Sequence, residues 1–157
     1  MIEQPRRELA FLRLYSQLAA ARPPQVDVLA SLWEMRASFN VDPEPDVRPD
    51  IVVAPCLESV DGNPPGPPLL VVELLSWRND LMELGTRMRV YEQFGVRGYW
   101  LVDPVEPMLI AYELDDQGAY RRTAKIVGDE PLEATAPFPV RIVLTEPLGA
   151  DPERRAP

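Results

Sequence analysis

The stretch Leu69–Ser76, LLVVELLS, decides the fold. Its apolar residues fall on both alternating faces, so it reads as a central strand covered on both sides. Downstream, residues 79–95 carry the clearest helical pattern. Leu81, Leu84, Met88 and Tyr91 recur at three- and four-residue spacing, and Gly95 supplies the stop. Tyr99–Val102 is the next buried strand, lying beside Leu69–Ser76. Met108–Leu114 and Ala119–Ile126 then flank Asp115-Asp116-Gln117-Gly118, a hairpin turn signal, and Val140–Leu144 reads as a last edge strand. Upstream, Asp50–Pro55 is a short strand behind a proline-rich loop. Trp33, Met35, Ala37, Phe39 and Val41 alternate with Glu34, Arg36 and Ser38 as a half-buried strand, and residues 6–21 form a helix with Pro5 at its start. The order helix, strand, strand, strand, helix, strand, hairpin predicts an α/β fold: a mixed sheet with flanking helices.

The 157 residues suit one domain, expected over 1–146, with 147–157 a flexible C-terminal tail. The 19 prolines cluster between the expected elements, and none falls between Leu69 and Asp103. No apolar stretch is long enough to span a bilayer and no leader pattern is visible, so the expectation is a cytoplasmic protein with no membrane contact. The chain has no histidine, which excludes Ser-His-Asp and Cys-His catalysis and histidine-containing zinc sites. The single cysteine, Cys56, excludes an internal disulfide and has no base near it in sequence. Hydrolytic chemistry here has to run on carboxylates with a hard metal. The net charge of −9 argues against broad nucleic-acid coating but leaves room for a local basic groove.

Glu73 is the most informative residue. A carboxylate inside Leu-Val-Val-Glu-Leu-Leu would cost several kcal/mol unless a cation, hydrogen-bond donors or a metal compensates it. Asp50 opens the preceding strand, and the two acids can converge at one end of an antiparallel pair, a donor set that suits Mg²⁺. Glu83 and Arg87 lie four apart on the helix, where they form either a surface ion pair or a cation placed over the carboxylates. Arg87, Arg89 and Arg97 form one small basic group; Arg121, Arg122 and Lys125 form another. Of the 16 basic residues 15 are arginine, and Lys125 is the only lysine.

Arg48-Pro-Asp50-Ile-Val-Val, Leu-Val-Val-Glu73-Leu-Leu-Ser76, Glu83-Leu-Gly-Thr-Arg87-Met-Arg-Val-Tyr91-Glu-Gln-Phe-Gly95-Val and Gly-Tyr99-Trp100-Leu-Val-Asp103-Pro together resemble the Uma-two family. These are restriction-endonuclease-like proteins of the PD-(D/E)XK nuclease superfamily, and the resemblance covers about residues 48–145. It implies an αβββαβ core and hydrolysis of phosphodiester bonds in DNA with Mg²⁺ or Mn²⁺. Asp50 and Glu73 match the metal-binding acids; Arg87 matches a catalytic position, and Arg87 with Arg89 would contact phosphate. The superfamily's lysine would fall at Leu75, and the helix position where this family carries lysine is Arg87, with Glu83 in place of aspartate. Arginine stabilises charge but does not release its proton. The strand hairpin that such proteins carry before the first helix has no counterpart here, and the exposed sheet edge this leaves favours a homodimer.

Two functions follow. One is a metal-dependent endonuclease. The other is a catalytically lapsed nuclease fold acting as a protein-interaction or scaffold module, with Glu73 neutralised by Arg87.

Overall fold

The computed structural model of the chain describes residues 3–30, 35–36, 46–56, 66–76 and 81–149. In chain order the elements are α1 (Glu3–Ala21), β1 (Val26–Ala30), β2 (Met35–Arg36), β3 (Asp46–Val47), β4 (Ile51–Pro55), β5 (Leu70–Leu74), α2 (Leu81–Phe94), β6 (Gly98–Asp103), β7 (Met108–Leu114), β8 (Tyr120–Val127), β9 (Leu132–Ala134) and β10 (Val140–Ile142).

β5 is buried at every position, as its unbroken apolar run requires. It lies inside a six-stranded sheet of order β1-β4-β5-β6-β7-β8. β4 runs antiparallel to it and β6 parallel, with Glu73 opposite Leu101 and Leu74 opposite Val102. A parallel neighbour needs a crossover, and α2 supplies it. Leu70, Val72 and Leu74 face one core with Leu14 and Leu18 of α1. Val71 faces the other with Val90 and Tyr91 of α2. Alternation therefore places Glu73 on the α2 side. The elements of the main sheet and its helices follow the order αβββαβ, completed by the β7–β8 hairpin.

Two expectations change. The first strand of the main sheet is β1, not the segment around Trp33–Val41. β1 pairs antiparallel with β4, Val28 opposite Val53. Its sequence VDVLA buries Val26 and Val28 and turns Asp27 partly outward, a short alternation between Pro24 and the next apolar run. Of the expected strand at 33–41, only Met35–Arg36 lies among the described residues, paired with Asp46–Val47. The second change concerns Val140–Leu144. β10 is not an edge of the main sheet; it pairs with β9 in a separate two-stranded ribbon. The ribbon's Leu132, Phe138, Val140 and Ile142 close the core over α1, and apolar burial there outweighs a seat at the sheet edge. Gln17 of α1 fastens that contact. Its side-chain amide donates to Val143 O at 3.0 Å and accepts from Val143 N at 2.8 Å.

The expected helix over 79–95 corresponds to α2, ended by Gly95 at φ 71°, a left-handed position that glycine takes without strain. Trp33, Trp77 and the tail beyond residue 149 lie outside the described residues. The Cys56 thiol donates to Pro24 O at 3.0 Å. No described helix is long and apolar enough to cross a membrane.

Candidate functional site

Asp50 immediately precedes β4, and its backbone N–H donates to Val72 O at 3.0 Å. One step beyond the Ile51–Val72 pair, the ladder sets Asp50 across from Glu73. The Asp50 side chain extends the ladder as well: Oδ2 accepts the Leu74 N–H at 2.7 Å. Its other oxygen, Oδ1, is ion-paired with Arg7 of α1. The helix on one face of the sheet thus reaches over the strand ends to the acid.

Glu73 is only 3% exposed. Two of its donors come from α2 and a third from the sheet itself. The Tyr91 hydroxyl donates to Oε1 at 2.6 Å, and Arg87 Nη1 reaches the same oxygen at 3.3 Å. The Tyr99 hydroxyl, from the adjacent β6, stands 3.4 Å from Oε2. Arg87 is itself held by Glu83 Oε1 at 2.7 Å, the expected four-residue pair. Both readings of that pair are therefore present in one side chain: Nη2 serves Glu83 and Nη1 serves Glu73.

Burial pushes the Glu73 carboxyl above the ordinary glutamate range; Tyr91 and Arg87 pull it back, and the Asp50 charge pushes it up again. Burial opposes the charge on Arg87, but Glu73 and Glu83 outweigh it and hold that guanidinium above the usual arginine value. Burial first, then the Glu73 charge, pushes the Tyr91 and Tyr99 phenols far above their ordinary range, so both remain donors. Behind them Tyr99 lies 5.9 Å from Tyr112 and 5.8 Å from Tyr120, ring centre to ring centre.

Asp50, Glu73 and Arg87 are brought together. Arg89 is not: two residues on, it lies about 200° around the helix from Arg87 and is exposed. Arg121, Arg122 and Lys125 sit exposed on β8 at the sheet edge, with Arg121 paired to Asp115 at 2.8 Å. Three side chains that meet the acids, Arg7, Tyr91 and Tyr99, have no such role in the sequence reading. Arg7 carries no local signal, since its partner is 43 residues away. Tyr91 does carry one, because Glu83, Arg87 and Tyr91 recur at four-residue intervals and form a polar stripe beside the apolar one.

As a donor set, Asp50 and Glu73 are two hard oxygen ligands close enough for one charge to raise the other's pKa. That fits a Mg²⁺-type cation, which takes one or two carboxylates and keeps its other positions for water and phosphate. It does not fit a closed cage: among the described residues no three His, Cys, Asp or Glu are grouped to hold a metal.

A family profile described as "Uma2: Putative restriction endonuclease" matches residues 3–146. Among solved structures, the chain is similar to one titled a putative nuclease belonging to DUF820, from Anabaena variabilis. The TM-score is 0.58 at 20% identity, over 85% of this chain and 72% of that one. At that identity the likeness speaks for the fold alone. No curated protein matches the chain. The profile spans both helices, the whole main sheet and the Asp50–Glu73–Arg87 constellation, and on that match the chain belongs to the Uma2 family.

Proposed function

We propose that the protein is an endonuclease that hydrolyses phosphodiester bonds in DNA with Mg²⁺ or Mn²⁺ held by Asp50 and Glu73. One observation carries the reading: two carboxylates 23 residues apart in sequence stand opposite one another at the end of the β4–β5 pair, each with a guanidinium on it, Arg7 on Asp50 and Arg87 on Glu73. A divalent cation bound there would polarise the phosphoryl oxygen and activate water for in-line attack. Arg87, permanently charged, stabilises negative charge growing on the phosphoryl oxygens and does not act as a base. Glu83 orients Arg87, and Tyr91 fixes the Glu73 carboxylate. A homodimer through an exposed sheet edge belongs to the same reading; β1 forms one such edge.

The test is cleavage of supercoiled plasmid by the purified protein with Mg²⁺ or Mn²⁺. Cutting should fall at least a hundredfold in Asp50→Ala and in Glu73→Ala. Arg87→Lys should keep or raise it, because lysine supplies the same charge with a transferable proton.

A second reading, the lapsed fold serving as an interaction module, is favoured by a specific feature. Every carboxylate oxygen of the pair already has a protein donor within reach: Arg7 and the Leu74 N–H on Asp50, and Tyr91, Arg87 and Tyr99 on Glu73. Under it, wild type cuts neither DNA nor RNA and gains no thermal stability from Mn²⁺.

A further inference from the structure

The face of α1 that carries Arg6, Leu9, Ala10 and Arg13 borders a cavity of about 380 Å³. Its opposite wall is Val102, Asp103 and the β6–β7 turn. The cavity lies at the same end of the sheet as the candidate site. Val102 is paired with Leu74, next to Glu73, and Arg6 immediately precedes Arg7, which holds Asp50. This is also the carboxyl end of the parallel β5–β6 pair, where open α/β sheets bind ligands.

The charges in the cavity are unevenly satisfied. Asp103 is spent on its own turn, with Oδ1 accepting the Val105 N–H at 2.8 Å and the Glu106 N–H at 3.1 Å. Among the described residues Arg6 and Arg13 have no carboxylate partner within 4 Å, and neither do Arg89, Arg97, Arg122 and Lys125; of these six only Arg6 and Arg13 line this cavity beside the candidate site. Arg13 Nε is buried and makes no hydrogen bond. An unpaired guanidinium nitrogen turned away from water is costly. A larger cavity, about 500 Å³ at the amino ends of β5 and β6, sets Arg97 against Glu113, Asp115 and Asp116 and so repels phosphate.

We propose that the cavity between α1 and the β6–β7 turn seats a backbone phosphate of the nucleic-acid strand, held by Arg6 and Arg13, beside the phosphodiester at Asp50 and Glu73. The assignment rests on the nuclease reading and adds to it a binding surface that lies on neither α2 nor β8. Arginine suits the task because its planar fork matches phosphate oxygens. The low apolar wall of Leu9, Ala10, Val102 and Leu144 keeps the local dielectric low and strengthens the contact.

The experiment is binding of a fluorescein-labelled DNA duplex, followed by anisotropy in EDTA across a salt series. Relative to wild type, Arg6→Gln/Arg13→Gln should bind roughly tenfold more weakly, with the salt slope smaller by about 1, the value for one lost phosphate. A control double variant removing the same charge elsewhere, Arg121→Gln/Arg141→Gln, should keep the wild-type slope. Arg6 is exposed, so Arg6→Gln alone folds and should also lower the slope even if the double variant does not fold. A wild-type slope in Arg6→Gln, from a protein that binds and cuts DNA, overturns this site and leaves the nuclease reading standing. A wild type that neither binds nor cuts nucleic acid overturns both. If inorganic phosphate raises the wild-type melting temperature through Arg6 while duplex binding ignores Arg6→Gln, the cavity takes a small anion, and the assignment to a strand is overturned.

Discussion

Arg7 alters the meaning of Asp50. An aspartate after proline at a strand start is ordinary turn chemistry, and in the sequence Asp50 gains interest only beside Glu73. In the structure it bears a guanidinium on one oxygen and a backbone N–H on the other. A divalent cation taking Asp50 Oδ1 has to compete with Arg7. Arg7→Gln should therefore bind Mn²⁺ several-fold more tightly than wild type, as read by Mn²⁺ titration with paramagnetic resonance detection. Equal or weaker binding would mean that Arg7 is not in the cation's way. Glu73 was legible in the sequence because a charge inside an apolar run must be compensated, whatever compensates it. Arg87 was legible because helix periodicity put it near the strand end. Arg7 was not, since an arginine near the start of a helix looks like any solvated charge until the chain brings Asp50 to it.

Among the elements, the βαβ unit was the most readable part and the N-terminal strands the least. β5, α2 and β6 each carry a pattern long enough to set its period, and Gly95 marks where the crossover turns back. β1 is five residues with only two fully buried side chains, too short to compete with the longer alternation at 33–41. Two glycines next to β6 make the unit testable. At Gly95 a side chain would meet only Pro67 Cγ at 4.0 Å, so Gly95→Ala should cost about 1 kcal/mol through its positive φ alone. At Gly98 an added Cβ would stand 3.1 Å from Leu70 Cδ1 and 3.2 Å from the backbone Leu69 O, where strands β5 and β6 begin to pair. That oxygen already accepts the Gly98 N–H at 2.9 Å and cannot retreat without loosening the pairing. Gly98→Ala should therefore be the more damaging of the two in urea denaturation, and the reverse order would show that the start of β6 yields easily.

For the molecule as a whole, the α2 side of the sheet is a core of buried phenols. Tyr91, Tyr99 and Tyr120 all have pKa values raised above the ordinary phenol, burial being the largest cause in each. Each is protonated in the folded state at a pH where the unfolded chain would ionise it, so the folded form holds more protons. Their contribution is complete below the unfolded phenol value of about 10 and is lost as pH rises from there toward the folded values. Stability should fall above about pH 10 by up to about 1.4 kcal/mol per pH unit for each of these tyrosines. Tyr120→Phe should flatten the fall in a urea-denaturation series at alkaline pH, at the cost of the Tyr120 hydroxyl's 2.7 Å bond to Val96 O. An unchanged slope would mean that Tyr120 titrates alike in both states. The apolar run at 69–76 foretold a two-sided apolar core. It could not foretell that phenols would supply the donors, because tyrosine and phenylalanine make the same periodic pattern.

The clasp between Gln17 and Val143 also bears on the order of events during synthesis. α1 leaves the ribosome well ahead of the ribbon that covers it, through Phe138, Val140 and Ile142. Until the ribbon is made, the apolar side of α1 is therefore without its final cover, and of the described elements the one made first is completed among the last.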